Sequence, residues 1–272
     1  MTVATEHVVA GVSPLAPRPE TLVWAAQEAR ARGAVLEVVS AWSARPQADR
    51  DTAREALRRA AELAERRAPG VQVVTRMITG LPEPVLRAEA TGAGLLVVGA
   101  DDQSPLLEAI TGSVPGALLS TAPCPLVVVP KDVPPPGDDA PVLVGMDGVE
   151  TSAAALDHGF SVADRSGRAL RVVHCWTAPR DPAQHQAIAT CLAGYAARYP
   201  NVAVTEEEVE GDPVTELARR SRQAALLVLG SRGRGRLASM AFGSVSRTLI
   251  RRCRCPVVVL RADLGAQPPG RS

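Results

Sequence analysis

Residues 226–260 read LLVLGSRGRGRLASMAFGSVSRTLIRRCRCPVVVL. A run of Leu and Val stops at Gly230, a glycine- and arginine-rich stretch follows, and a second β-branched run closes at Leu260. Between them Val245, Leu249, Ile250 and Cys253 recur at the spacing of one helix face. Strand, loop, helix, strand predicts two parallel strands joined by a crossover helix. The same layout stands 131 residues earlier, where residues 95–129 read LLVVGADDQSPLLEAITGSVPGALLSTAPCPLVVV, with Val114, Leu118, Leu119 and Ala122 on the matching face.

Working outward, the chain is written twice. VVAGVSP from Val8 matches VLVGMDG from Val142, and LEVVSAW from Leu36 matches LRVVHCW from Leu170, both at an offset of 134. From GLP at Gly80 and GDP at Gly211 onward the offset is 131. A period this long means two copies of a domain rather than a solenoid repeat. The expected boundaries are 1–130 for the first domain and 141–261 for the second, with a linker over 131–140 (KDVPPPGDDA) and a disordered tail over 262–272.

Within each copy, short β-branched runs alternate with Ala-, Arg- and Glu-rich stretches. Thr52–Ala68, with Leu57, Ala60, Ala61 and Leu63 on a helical repeat, is one of these. Five strands and four helices in alternation predict a five-stranded parallel sheet with helices on both faces in each half.

The chain has 272 residues, 46% of them apolar, with 30 basic and 29 acidic side chains and a net charge of +1. That balance gives no reason to expect nucleic acid as a partner. Arg247, Arg251 and Arg254 read as the solvated face of the last helix, with no aromatic interleaving for base stacking. No basic and apolar leader opens the chain, and no apolar run reaches the ~20 residues of a membrane span. Five cysteines, an odd count, do not suggest a disulfide framework in a chain this long. The expectation is a soluble, cytoplasmic protein that does not engage membranes.

In an open parallel sheet, ligands bind beyond the carboxyl ends of the strands, where strand order reverses. Asp147 closes the first strand of the second copy and Gly230 closes the fourth. If those strands are neighbours, both residues share one crevice with Gly233. Glycines let backbone approach a polyphosphate, Arg232, Arg234 and Arg236 add charge, and Ser244 and Ser246 add hydroxyls beside Gly243 at a helix start. Neither G-x-x-x-x-G-K-[ST] nor G-x-G-x-x-G occurs in this stretch, so it is no P-loop and no Rossmann fingerprint.

The spacing G-x2-G-x9-G-S over Gly230, Gly233, Gly243 and Ser244 resembles the ATP-binding signature of the universal stress protein family. VGMDG in the first strand and the closing CPVVVL are typical of it too. The resemblance covers both halves. It implies two tandem flavodoxin-like (adenine nucleotide α-hydrolase-like) domains and an adenine nucleotide, ATP, between first and fourth strands. It also implies that Gly145 and Asp147 flank the adenosine and that Cys175 lies against the base. Leu229 and Gly230 would sit under ribose and phosphates, and Gly233, Gly243, Ser244, Val245 and Ser246 would wrap the phosphates. Asp147 offers a carboxylate for Mg2+. The closing strands are expected to dock the halves as an internal pseudo-dimer, and a homodimer is a further option.

The first copy keeps Gly99, Gly112 and Ser113, but Asp102 beside Asp101 replaces the second glycine and Ser13 replaces Asp147. Two carboxylates near a triphosphate, with no Arg in the loop to offset them, predict weak or no ATP binding there. His174 near the crevice reads as a structural residue, and His7, His158 and His185 show no metal-ligand spacing. Three functions remain open: a regulatory ATP-binding stress protein, a slow ATP hydrolase using the same site, and a ligand-free interaction module. No catalytic base and no metal ligand set are visible, so an enzyme is the less favoured reading.

Overall fold

The structure, a computed structural model, describes residues 6–13, 18–42, 50–100, 113–176, 182–230 and 244–261. The chain divides into two compact units, Met1–Val133 and Pro134–Ser272.

The first unit runs β1 (His7–Gly11), α1 (Pro19–Arg32), β2 (Val35–Trp42), α2 (Arg50–Arg67), β3 (Val73–Thr79), α3 (Pro82–Glu89), β4 (Leu95–Gly99), α4 (Val114–Thr121) and β5 (Leu126–Val129). Its strands are all parallel, in the order β3-β2-β1-β4-β5. The second unit runs β6 (Val142–Met146), α5 (Val149–Ser166), β7 (Leu170–Trp176), α6 (Pro182–Arg198), β8 (Val204–Glu210), α7 (Pro213–Arg220), β9 (Leu226–Gly230), α8 (Ser244–Arg252) and β10 (Val257–Leu260). Its order, β10-β9-β6-β7-β8, is the same pattern, again all parallel.

The sequence explains these elements. Val8, Val9, Leu95, Leu96 and Val97 of the central strands are fully buried, as are Val142, Val144, Leu227 and Val228 in the second unit. A sheet covered on both faces requires such unbroken apolar strands. α1 packs on α2 and α3 on α4; in the second unit α5 packs on α6 and α7 on α8. Helices α1 and α5 end at Gly33 (φ 63) and Gly167 (φ 65), repeat equivalents in the left-handed conformation that glycine reaches without a Cβ penalty. Phe160 of α5 is fully buried and stacks on Tyr195 and Tyr199 across α6, with centroids 4.9 and 5.4 Å away.

Helix starts differ between the copies. Asp212 caps α7 by accepting from the Thr215 N–H and hydroxyl, each at 2.8 Å, and these bonds hold its carboxyl below the usual range. The equivalent cap of α3 is Leu81, which makes no side-chain bond. Pro84 stands there at the position of Thr215 and carries no N–H, so the donor that Asp212 serves is missing. No helix among the described residues is long and apolar enough to cross a membrane.

Candidate functional site

Parallel pairing of β6 with β9 sets Gly145 opposite Leu229. Asp147 therefore leaves β6 beside Gly230 at the end of β9. From this point β6 connects through α5 toward β7, whereas β9 connects through α8 to β10 on the other side. This is the topological switch point, the place where open parallel sheets bind ligands beyond their strand ends. A crossover helix runs antiparallel to the strands it joins, so Ser244, Val245 and Ser246 open α8 at this same edge. The N–H groups of that first turn have no partner within the helix and carry its partial positive charge.

The turn after β6 is pinned locally. The Asp147 N–H donates to Ser152 Oγ at 3.1 Å, and the Ser152 N–H donates to the Gly148 carbonyl at 3.2 Å. His174 acts from the neighbouring strand. Its Nδ1 lies 3.0 Å from the Met146 carbonyl, which only accepts, so Nδ1 carries the proton. Nε2 then accepts from Gln184 Nε2 at 3.2 Å. Both ring nitrogens hold structure, as the sequence reading expected.

Cys175, next along β7, is half-buried near Asp212, Glu216 and Arg220. Burial pushes its thiol up to about 11; the Arg220 charge opposes the shift, and Glu216 and Asp212 add to it. It is a neutral, soft surface at neutral pH rather than a nucleophile.

The glycines have packing reasons of their own. A Cβ on Gly145 would lie 2.7 Å from Leu229 Cδ2 and 3.0 Å from Leu217 Cδ1. Gly11 in the first unit meets the equivalent Leu86 and Val98 in the same way. A Cβ on Gly230 would lie 2.8 Å from the Thr151 carbonyl oxygen, so glycine lets the first turn of α5 close onto the end of β9. Leu229 is buried in this contact. Ser244 is exposed, Val245 half-buried, and Ser246 only 4% exposed. Ser246 is thus buried in the packed face of α8. Arg232, Gly233 and Gly243 lie outside the described residues.

In the first unit Ser13 is exposed and Gly99 ends β4. A Cβ on Gly99 would meet Arg18 Cδ at 2.8 Å and Thr21 Oγ1 at 2.9 Å. Arg18 comes from the start of α1, so a cation stands at this edge after all, supplied by a segment that the loop sequence does not reveal. Asp101, Asp102 and Gly112 are outside the described residues. Ser113 caps α4, its Oγ accepting from the Gly116 N–H at 2.9 Å.

Sequence reading missed Ser152 and Arg18, because only the folded turn brings them to the strand ends. Asp212 carried a signal, an Asp before Pro at a helix start.

The model of the universal stress protein family matches residues 4–130 and again 140–261. Universal stress protein Rv2623 of Mycobacterium tuberculosis is 36% identical over 218 residues, covering 75% of this chain and 73% of its own. Universal stress protein Mb2028c of Mycobacterium bovis is 31% identical over 284 residues, covering 93% and 96%. A crystal structure of a universal stress protein from Archaeoglobus fulgidus superposes with a TM-score of 0.70 at 19% identity, over 93% of this chain and 96% of that one. With the family model matched twice in one chain and a 31%-identical relative covered to 96% of its length, the protein belongs to the universal stress protein family as a tandem member.

Proposed function

We propose that the second unit holds one adenine nucleotide, ATP with Mg2+, in the crevice between β6 and β9, and that the protein works as a nucleotide-dependent regulator rather than a catalyst. The observation that carries this is the convergence of Asp147, Gly230 and the start of α8 at the switch point. The donor set fits the ligand: the N–H groups of a helix start suit phosphate oxygens, and the Asp147 carboxylate suits a ribose hydroxyl or Mg2+. Gly145 flanks the adenosine beside Asp147, Cys175 offers an uncharged surface for the base, and Leu229 with Gly230 lies under ribose and phosphates. Arg232, Gly233 and Gly243 belong to the phosphate side by their place in the G-x2-G-x9-G-S spacing. In the first half, Ser13 in place of Asp147 and Asp102 in place of the second glycine argue against an equivalent site.

Binding is favoured over hydrolysis because His174, the imidazole beside these strand ends, has both nitrogens engaged and is not free as a base. The test is thermal unfolding with and without Mg-ATP. Ligand at about 100 times its Kd adds about 2.7 kcal/mol to the folded state. Gly233→Asp, which copies the first half, removes the shift while the unliganded protein stays folded. No shift in the wild-type protein at saturating Mg-ATP overturns the reading, and rapid phosphate release that Asp147→Ala abolishes favours a hydrolase.

A further inference from the structure

On the α6 side of the second sheet, His185, Glu206 and Glu208 bring one ligand atom each to within 4.8 Å of one another. We propose that these three side chains form a binding site for a first-row divalent cation of the zinc class, separate from the nucleotide crevice.

The arrangement comes from two elements. Glu206 and Glu208 alternate with Glu207 along β8, so both project from one face of the strand while Glu207 projects from the other. His185 lies in the first turn of α6, its Nδ1 2.5 Å from Glu208 Oε1. Glu207 takes two arginines on its own face, Arg220 at 2.8 Å and Arg171 at 3.1 Å. Glu206 Oε1 is fully buried with no hydrogen-bond partner among the described residues, and the Glu208 side chain is only 11% exposed. Two half-buried carboxylates side by side repel and resist desolvation. The His185 imidazole meets Glu208, whereas Glu206 Oε1 has no hydrogen-bond partner among the described residues. A dication shared by the three side chains would neutralise the pair.

The donors select the metal. One imidazole nitrogen with two carboxylate oxygens suits zinc or a neighbouring transition ion better than Mg2+ or Ca2+, which prefer all-oxygen shells. The His185 side chain is 44% exposed, which leaves room for it to turn and for water to complete the coordination. The repeat supplies a control. At the positions of Glu206 and Glu208, β3 carries Thr75 and Met77, in the same register with β2, so the fold itself has no need of carboxylates there.

The experiment is equilibrium dialysis of the full-length, nucleotide-free protein against Zn2+ alone, with bound zinc measured by mass spectrometry. Wild type is expected to retain one equivalent. Glu206→Gln with Glu208→Gln, and separately His185→Gln, are expected to weaken retention at least about tenfold, whereas Asp147→Ala leaves it unchanged. His185→Gln alters a half-exposed helix residue and keeps the test valid if the double variant fails to fold. A wild-type protein that retains no zinc, or zinc retained equally by the carboxamide and His185 variants on thiols or elsewhere, overturns the site.

Discussion

Gly230→Ala separates two reasons for the glycine that closes β9. The added Cβ would stand 2.8 Å from the Thr151 carbonyl oxygen, and that oxygen belongs to the helix backbone and cannot rotate away. An ordinary carbon–oxygen contact needs about 3.3–3.6 Å, so α5 and β9 must part by roughly 0.5–0.8 Å. Overpacking of this kind costs about 1–3 kcal/mol. Against it, Ala stabilises by about 0.4–1 kcal/mol through the unfolded chain where the backbone tolerates it, and Gly230 is not among the positive-φ glycines. The net expectation is a loss of up to about 2.5 kcal/mol without any nucleotide present. The assay is urea unfolding of nucleotide-free protein, wild type against variant. Gly99→Ala serves as the comparison, since its Cβ meets Arg18 Cδ, part of a flexible side chain, as well as Thr21 Oγ1; its loss is smaller. A Gly230→Ala protein more stable than wild type refutes the packing argument and leaves the glycine to the ligand alone.

Two further outcomes follow from the core. Phe160→Ala removes the fully buried ring that stacks on Tyr195 and Tyr199, and should cost about 3–5 kcal/mol in urea unfolding; a loss below about 1 kcal/mol contradicts the packing described. Burial raises the thiols of Cys175 and Cys253 to about 11 and of Cys124 to about 12, while unfolded cysteines ionise near 8.5. Above that pH the unfolded chain releases protons that the folded one keeps, so stability holds below about pH 8 and falls from about pH 9 upward. A urea midpoint that rises between pH 8 and pH 10 contradicts this.

The sequence made the sheets legible because burial on both faces leaves a strand no polar positions, and Val142–Met146 or Leu226–Gly230 can hardly read otherwise. The repeat made the duplication legible for the same reason. What it hid are contacts that depend on which faces meet. Gly230 reads as a ligand glycine until the Thr151 carbonyl stands against it. Arg18 is remote in sequence from Gly99 yet packs on it. His185 shows no metal spacing because its partners sit on β8, beyond a helix and a loop. The switch-point pair Asp147 and Gly230 was within reach, since alternation plus the crossover rule restricts which strands can be neighbours.

The central claim is one adenine nucleotide site per chain, in the second unit. The direct measurement is the adenine nucleotide bound per chain at saturating Mg-ATP, quantified by chromatography after denaturation of protein separated from free ligand, for wild type and for Gly233→Asp. The account predicts a ratio near one for wild type and near zero for the variant. A ratio near two, or a ratio of one that survives Gly233→Asp, contradicts it.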